Sequence, residues 1–95
     1  MASPSLLTIS QLALEFHAAV QNVRFKKFLY HEAVRSHEEK NGRADGRINP
    51  LDPGHAGVIS ATAGEYANYQ AARRSSYNSQ RRLESACRRF QCKNQ

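Results

Sequence analysis

Tryptophan is absent from this 95-residue chain, and cysteine occurs only at Cys87 and Cys92. A spacing of five is neither a C-x-x-C redox pair nor half of a zinc pattern, and on a helix it turns the two thiols to different faces. A disulfide framework is therefore excluded, and both are expected as reduced thiols, Cys87 packed and Cys92 near a fraying end. No window approaches the ~20 consecutive apolar residues of a membrane span. The opening MASPSLLTIS lacks the basic segment and apolar run of a secretory signal. These absences predict a soluble cytoplasmic protein that does not engage a membrane.

Motifs that carry catalysis are missing too. His17, His31, His37 and His55 are the candidate bases or ligands, yet none stands at i, i+4 from another, and His31-Glu32 lacks the rest of H-E-x-x-H. They read as surface residues. No G-x-x-x-x-G-K-[ST] is present for phosphate binding. Asn41, Asp45, Asn49 and Asp52 fall at spacings of four, four and three, whereas a calcium loop needs alternate oxygens and a closing glutamate. The expectation is a protein that is not an enzyme, with no catalytic residue, metal, cofactor or small-molecule substrate.

Only 40% of the residues are hydrophobic, and many of these are alanine. A chain of this length forms one small domain and buries about 60–65% of its unfolded surface. So thin a core is commonly supplemented by oligomerisation or by a partner.

Glycine and proline are scarce and clustered. Four of the five glycines and two of the three prolines lie in NGRADGRINPLDPGHAG, from Asn41 to Gly57. On either side, the pattern is helical. Thr8 and Gln11 form a T-x-x-Q capping box, with Leu7 and Leu12 spaced as a hydrophobic staple, so a first helix is predicted over about 9–40. Asn41-Gly42 is its stop, with Lys40 at the negative end of the dipole. A second T-x-x-E box, Thr62 to Glu65, opens a second helix over about 62–91. Between them lies a loop, 41–61, in which NPLDPGHAGVISA has room for one helical turn and Val58 and Ile59 are expected to tuck under the hairpin end.

Projected at 100° per residue, the first helix carries two apolar stripes. Ile9, Leu12, Phe16, Ala19, Val20, Val23, Tyr30 and Val34 form the longer one, interrupted by Lys27; Leu14, Ala18, Phe25 and Leu29, edged by Phe28, form the other. A helix apolar on two sides needs two neighbours. The second helix offers only one such stripe: Tyr69, Ser76, Leu83 and Phe90 recur every seven residues, beside Tyr66, Ala72, Ala86 and Cys87. Small residues at Ala72, Ser76, Ser79 and Ala86 permit close helix approach. The predicted fold is all-α, two long helices in an antiparallel hairpin joined by a long Gly/Pro-containing loop. One stripe of the first helix is then left for a second copy, in a four-helix arrangement, or for another macromolecule.

Charge is as uneven as the glycine. Residues 57–95 hold Arg73, Arg74, Arg81, Arg82, Arg88, Arg89 and Lys93 against Glu65 and Glu84, which places +5 of the net +6 in the second helix. Spacings of seven set Arg74, Arg81 and Arg88 on one ridge flanked by Arg82 and Arg89, with Tyr77 interspersed. Such a face suits an acidic protein surface or phosphates. The absence of helix-turn-helix spacing, zinc finger or basic-zipper order disfavours sequence-specific DNA reading. The sequence thus predicts a small basic accessory, inhibitory or adaptor protein, of the kind phages and other mobile elements often encode. It docks on a larger, acidic-surfaced protein, and nucleic-acid binding through the same arginines is the alternative. The candidate partner-binding residues are Arg74, Arg81, Arg82, Arg88, Arg89 and Tyr77, with Phe25 and Leu29 on the spare stripe and Arg43 and Arg47 at the hairpin tip.

Overall fold

The computed structural model describes residues 4–42, 48–49 and 51–94. Three α-helices and one 3-10 turn account for nearly all of them: α1 (Leu6–Asn41), the turn Pro53–His55, α2 (Ala56–Ala61) and α3 (Ala63–Asn94). No strand occurs among the described residues. The long helices α1 and α3 pack against each other.

Helix α1 begins three residues before the T-x-x-Q box. The Ser5 hydroxyl accepts the Thr8 backbone N–H at 3.1 Å, and Ile9 N–H reaches the Ser5 carbonyl at 3.0 Å. Ser5 is thus the N-cap and Thr8 the third helical residue, its own hydroxyl 3.0 Å from that of Ser5. The earlier cap wins because nothing between Ser5 and Thr8 opposes helix, and three further residues join the ladder. At the other end, Gly42 adopts φ 83° and donates to the Glu38 carbonyl at 2.8 Å, the left-handed stop that glycine permits. Asn41 Nδ2 adds a bond to the His37 carbonyl at 3.2 Å.

The second capping box does not form as the sequence suggests. Thr62 has φ −110° and ψ 11°, and its hydroxyl donates backwards to the Val58 carbonyl at 2.7 Å. Because α2 runs directly into α3 with Thr62 as the joint, no extended residue is left to serve as an N-cap, and the buried hydroxyl finds its acceptor in the preceding turn. The helical turn anticipated in NPLDPGHAGVISA is α2 itself, introduced by an Asx turn in which the Asp52 carboxylate accepts Gly54 N–H at 2.9 Å.

The chain forms two compact units, Met1–Val23 with Ala71–Gln95, and Arg24–Gln70. In the first, Ala72, Ser79 and Ala86 of α3 are buried, with Ala86 at 0% exposure, and Ser76, Leu83 and Phe90 are half-buried beside them. The longer α1 stripe supplies Ile9, Leu12, Phe16, Ala19, Val20 and Val23, all half-buried. Small residues one heptad apart let the two backbones approach, so this seam gains its contact from main chain and Cβ atoms rather than from large side chains.

In the second unit, Tyr30 of α1 meets Tyr66 of α3 with ring centroids 5.3 Å apart and Tyr69 at 6.3 Å, and His31 lies 5.5 Å to its other side. Burial pushes the Tyr30 phenol above the usual tyrosine pKa, and the Tyr66 phenol adds to the shift. His55, Val58 and Thr62 are buried here, whereas Ile59 is half-buried. The expectation of surface histidines fails at His55, which is 3% exposed. Its ring is drawn in because Nδ1 accepts the Asn49 backbone N–H at 2.7 Å while Nε2 lies 3.7 Å from the Asp52 carboxylate.

Candidate interaction surface

Within the first unit, α3 presents its seam on one side and its arginines on the other. Arg74, Arg81, Arg82, Arg88 and Arg89 are all exposed, as the seven-residue spacing requires when Ala72, Ser79 and Ala86 face inward. Tyr77, Asn78, Arg81, Arg82, Glu84, Ser85 and Arg88 line an open groove of about 660 Å³ along this face. At 1.5 Å per residue, Arg74, Arg81 and Arg88 stand about 10.5 Å apart.

The groove is held by short-range contacts. The Arg81 guanidinium lies 5.7 Å from the centroid of the Tyr77 ring, which is itself 60% exposed. Arg82 Nη2 donates to the Ser79 hydroxyl at 3.2 Å, tying one arginine to the seam. Glu84, the acid of this face, accepts from Gln80 Nε2 at 3.1 Å. Among the described residues no carboxylate forms an ion pair with Arg74, Arg81, Arg82, Arg88 or Arg89; the pairs present are Arg35 with Glu32 at 2.9 Å and His55 with Asp52. Five guanidiniums therefore stand in solvent with their charge uncompensated by a neighbour.

The spare stripe of α1 is outward-facing. Phe25 is 54% and Phe28 58% exposed in the second unit, with Leu29 half-buried beside them. In the first unit, Leu7 and Leu14 are exposed on α1. Lys26 lays its ammonium 5.6 Å from the Phe25 ring centroid, covering one edge of that ring. Arg43 and Arg47 lie outside the described residues. The arginine set and the α1 set are thus separate surfaces.

Two smaller cavities belong to the second unit. One of about 340 Å³ is lined by Tyr30, Ile48, Ile59, Thr62, Ala63 and Tyr66; the other, of about 310 Å³, lies where the end of α1 meets Gly54, Gly57 and Val58. No cluster of three or more metal-ligating side chains occurs among the described residues, and no described helix is long and apolar enough to cross a membrane. Cys87 is half-buried and Cys92 exposed, both free. Sequence reasoning missed the buried His55 and the tyrosine cluster; the D-P-G-H stretch, with an Asx turn set against a histidine, is the local signal for the first.

Comparison with protein-family models, with curated proteins and with solved structures gave no significant match, so the functional reading rests on the chain's own residues.

Proposed function

We propose that this chain is a non-enzymatic accessory, inhibitory or adaptor protein whose arginine face on α3 docks on an acidic surface of a larger protein. The supporting observation is the row Arg74, Arg81 and Arg88, exposed and without carboxylate neighbours, flanked by Arg82 and Arg89 around the exposed Tyr77. Arginine and tyrosine are the side chains that most often anchor protein interfaces. Their repeat of about 10.5 Å equals two turns of helix, the spacing at which a partner helix shows carboxylates seven residues apart. The outward apolar residues of α1 supply a second contact surface that suits protein and has no counterpart in phosphate recognition. In this reading α1 and α3 form an antiparallel hairpin in a soluble, cytoplasmic protein.

The second reading, nucleic-acid binding, draws on the same guanidiniums, with Asn78 and Ser85 in the groove as further donors to phosphate. The test pairs photo-crosslinking from position 77 in native extract with titration of the purified chain against polyglutamate and against duplex DNA and RNA. The docking reading expects an acidic protein as adduct, lost when Arg74, Arg81 and Arg88 are changed to glutamate. Tight duplex binding that weakens about 500-fold between 50 and 200 mM salt, as five phosphate contacts require, transfers the function to nucleic acid. No adduct and no binding to either polyanion overturns both readings.

A further inference from the structure

The geometry points to a second copy of this chain as the occupant of the outward apolar side of α1, joined in a two-fold dimer. The residues that meet it are Leu7 and Leu14 in the first unit and Phe25, Phe28 and Leu29 in the second. The inference rests on the docking reading only in leaving the α3 arginines free for another protein.

Three observations carry it. The first is area. The chain exposes 7234 Å², whereas a folded monomer of 10.7 kDa exposes about 5,500 Å². That excess of roughly 1,700 Å² exceeds the ~800 Å² that each partner of a stable interface contributes. No large side chain is fully buried among the described residues, so the missing burial is apolar as well as large.

The second is register. On α1 the residues Leu7, Leu14, Ala18, Phe25 and Leu29 follow spacings of seven, four, seven and four, the repeat of a helix seam. Leu7, Leu14, Phe25 and Phe28 are each more than half exposed, so this seam is built and uncovered. A two-fold interface uses the same patch on both chains, and a helix with this repeat fits a copy of itself.

The third is charge, which decides between the faces. Over its length α1 carries Arg24, Lys26, Lys27, Arg35 and Lys40 against Glu15, Glu32, Glu38 and Glu39. Beside Phe28, Glu32 and Arg35 neutralise each other at 2.9 Å. Self-association through α1 therefore meets little repulsion, whereas through α3 it sets uncompensated arginines against arginines.

Light scattering and sedimentation equilibrium on the purified chain test this. Wild type is expected at twice 10.7 kDa, with the same mass in 1 M NaCl, because apolar association survives screening. The double variant Phe25→Asp/Phe28→Asp is expected at the monomer mass with unchanged far-UV circular dichroism, its self-association weakened at least ~100-fold. If that variant loses helicity, Leu14→Asp and Phe28→Ser, each singly, carry the same expectation. A wild-type monomer, a dimer that dissolves in high salt, or a dimer that persists in every folded α1 variant overturns the proposal. The Arg81→Glu/Arg88→Glu variant is expected to stay dimeric. If it stays dimeric and still binds its partner, the docking reading alone fails.

Discussion

The backbone N–H of Asn49 donates to Nδ1 of His55 at 2.7 Å, and the ring that accepts it is 3% exposed. An accepting Nδ1 puts the proton of the neutral ring on Nε2, the atom facing the Asp52 carboxylate at 3.7 Å. One side chain thereby holds two points of the connection between α1 and α2.

Replacing His55 by leucine keeps the volume but removes the acceptor. The expected loss is about 1–3 kcal/mol, the cost of a poorly satisfied, part-buried donor. Thermal unfolding should shift down by about 4–8 °C per kcal/mol for a chain of this size. Asparagine, whose Oδ1 takes the place of Nδ1, should recover part of the loss. Equal melting temperatures for His55→Leu and wild type would show that the bond contributes nothing.

At Ala86 the seam has no room, since its exposure is 0%. Ala86→Leu should push the helices of the first unit apart and lower stability by about 1–3 kcal/mol. The control is Ala71→Leu on the exposed side of α3, where a change within about 0.5 kcal/mol is expected. Urea melts of the two variants check the contrast, and similar midpoints would contradict the close-packed seam.

Alkaline pH should act through Tyr30. Its phenol, raised in pKa by burial and then by Tyr66, stays protonated in the folded chain at pH values where the unfolded chain has begun to ionise. The unfolded state therefore releases the proton first, and stability falls as pH rises above the ordinary tyrosine value of about 10. The loss should be complete once pH passes the folded-state pKa. Tyr30→Phe should flatten this alkaline decline relative to wild type in melts between pH 9 and 11. An identical decline in both proteins would assign it to other groups.

The parts of the fold that repeat were legible in the sequence. The seven-residue recurrence of Tyr69, Ser76, Leu83 and Phe90, with small residues between, marked the inward side of α3, and the arginines followed on the other side. Both apolar stripes of α1 were readable by the same projection, and Asn41-Gly42 marked its end. What escaped was decided by competition between local motifs. Two N-cap candidates, Ser5 and Thr8, stand one turn apart, and spacing alone does not rank them. Thr62 begins a good box, but α2 occupies the residues that would have had to be extended. His55 escaped because its burial comes from residues distant in sequence, although its two polar contacts lie within six positions. The arginine surface was legible as a surface, since exposure follows from period; its occupant is not written in the period.

Because the buried seam of α3 and its arginine row share one seven-residue period, they cannot be altered independently in length. Deleting one residue between Arg74 and Ser79 turns everything beyond it by about 100°. Ser79 and Ala86 would then leave the seam in the same step that Arg81 and Arg88 leave their row. Lineages carrying this helix can adjust its affinity by exchanging side chains, but single insertions and deletions are closed to them, and whole heptads are the smallest increment by which α3 can grow or shrink with both faces kept in phase.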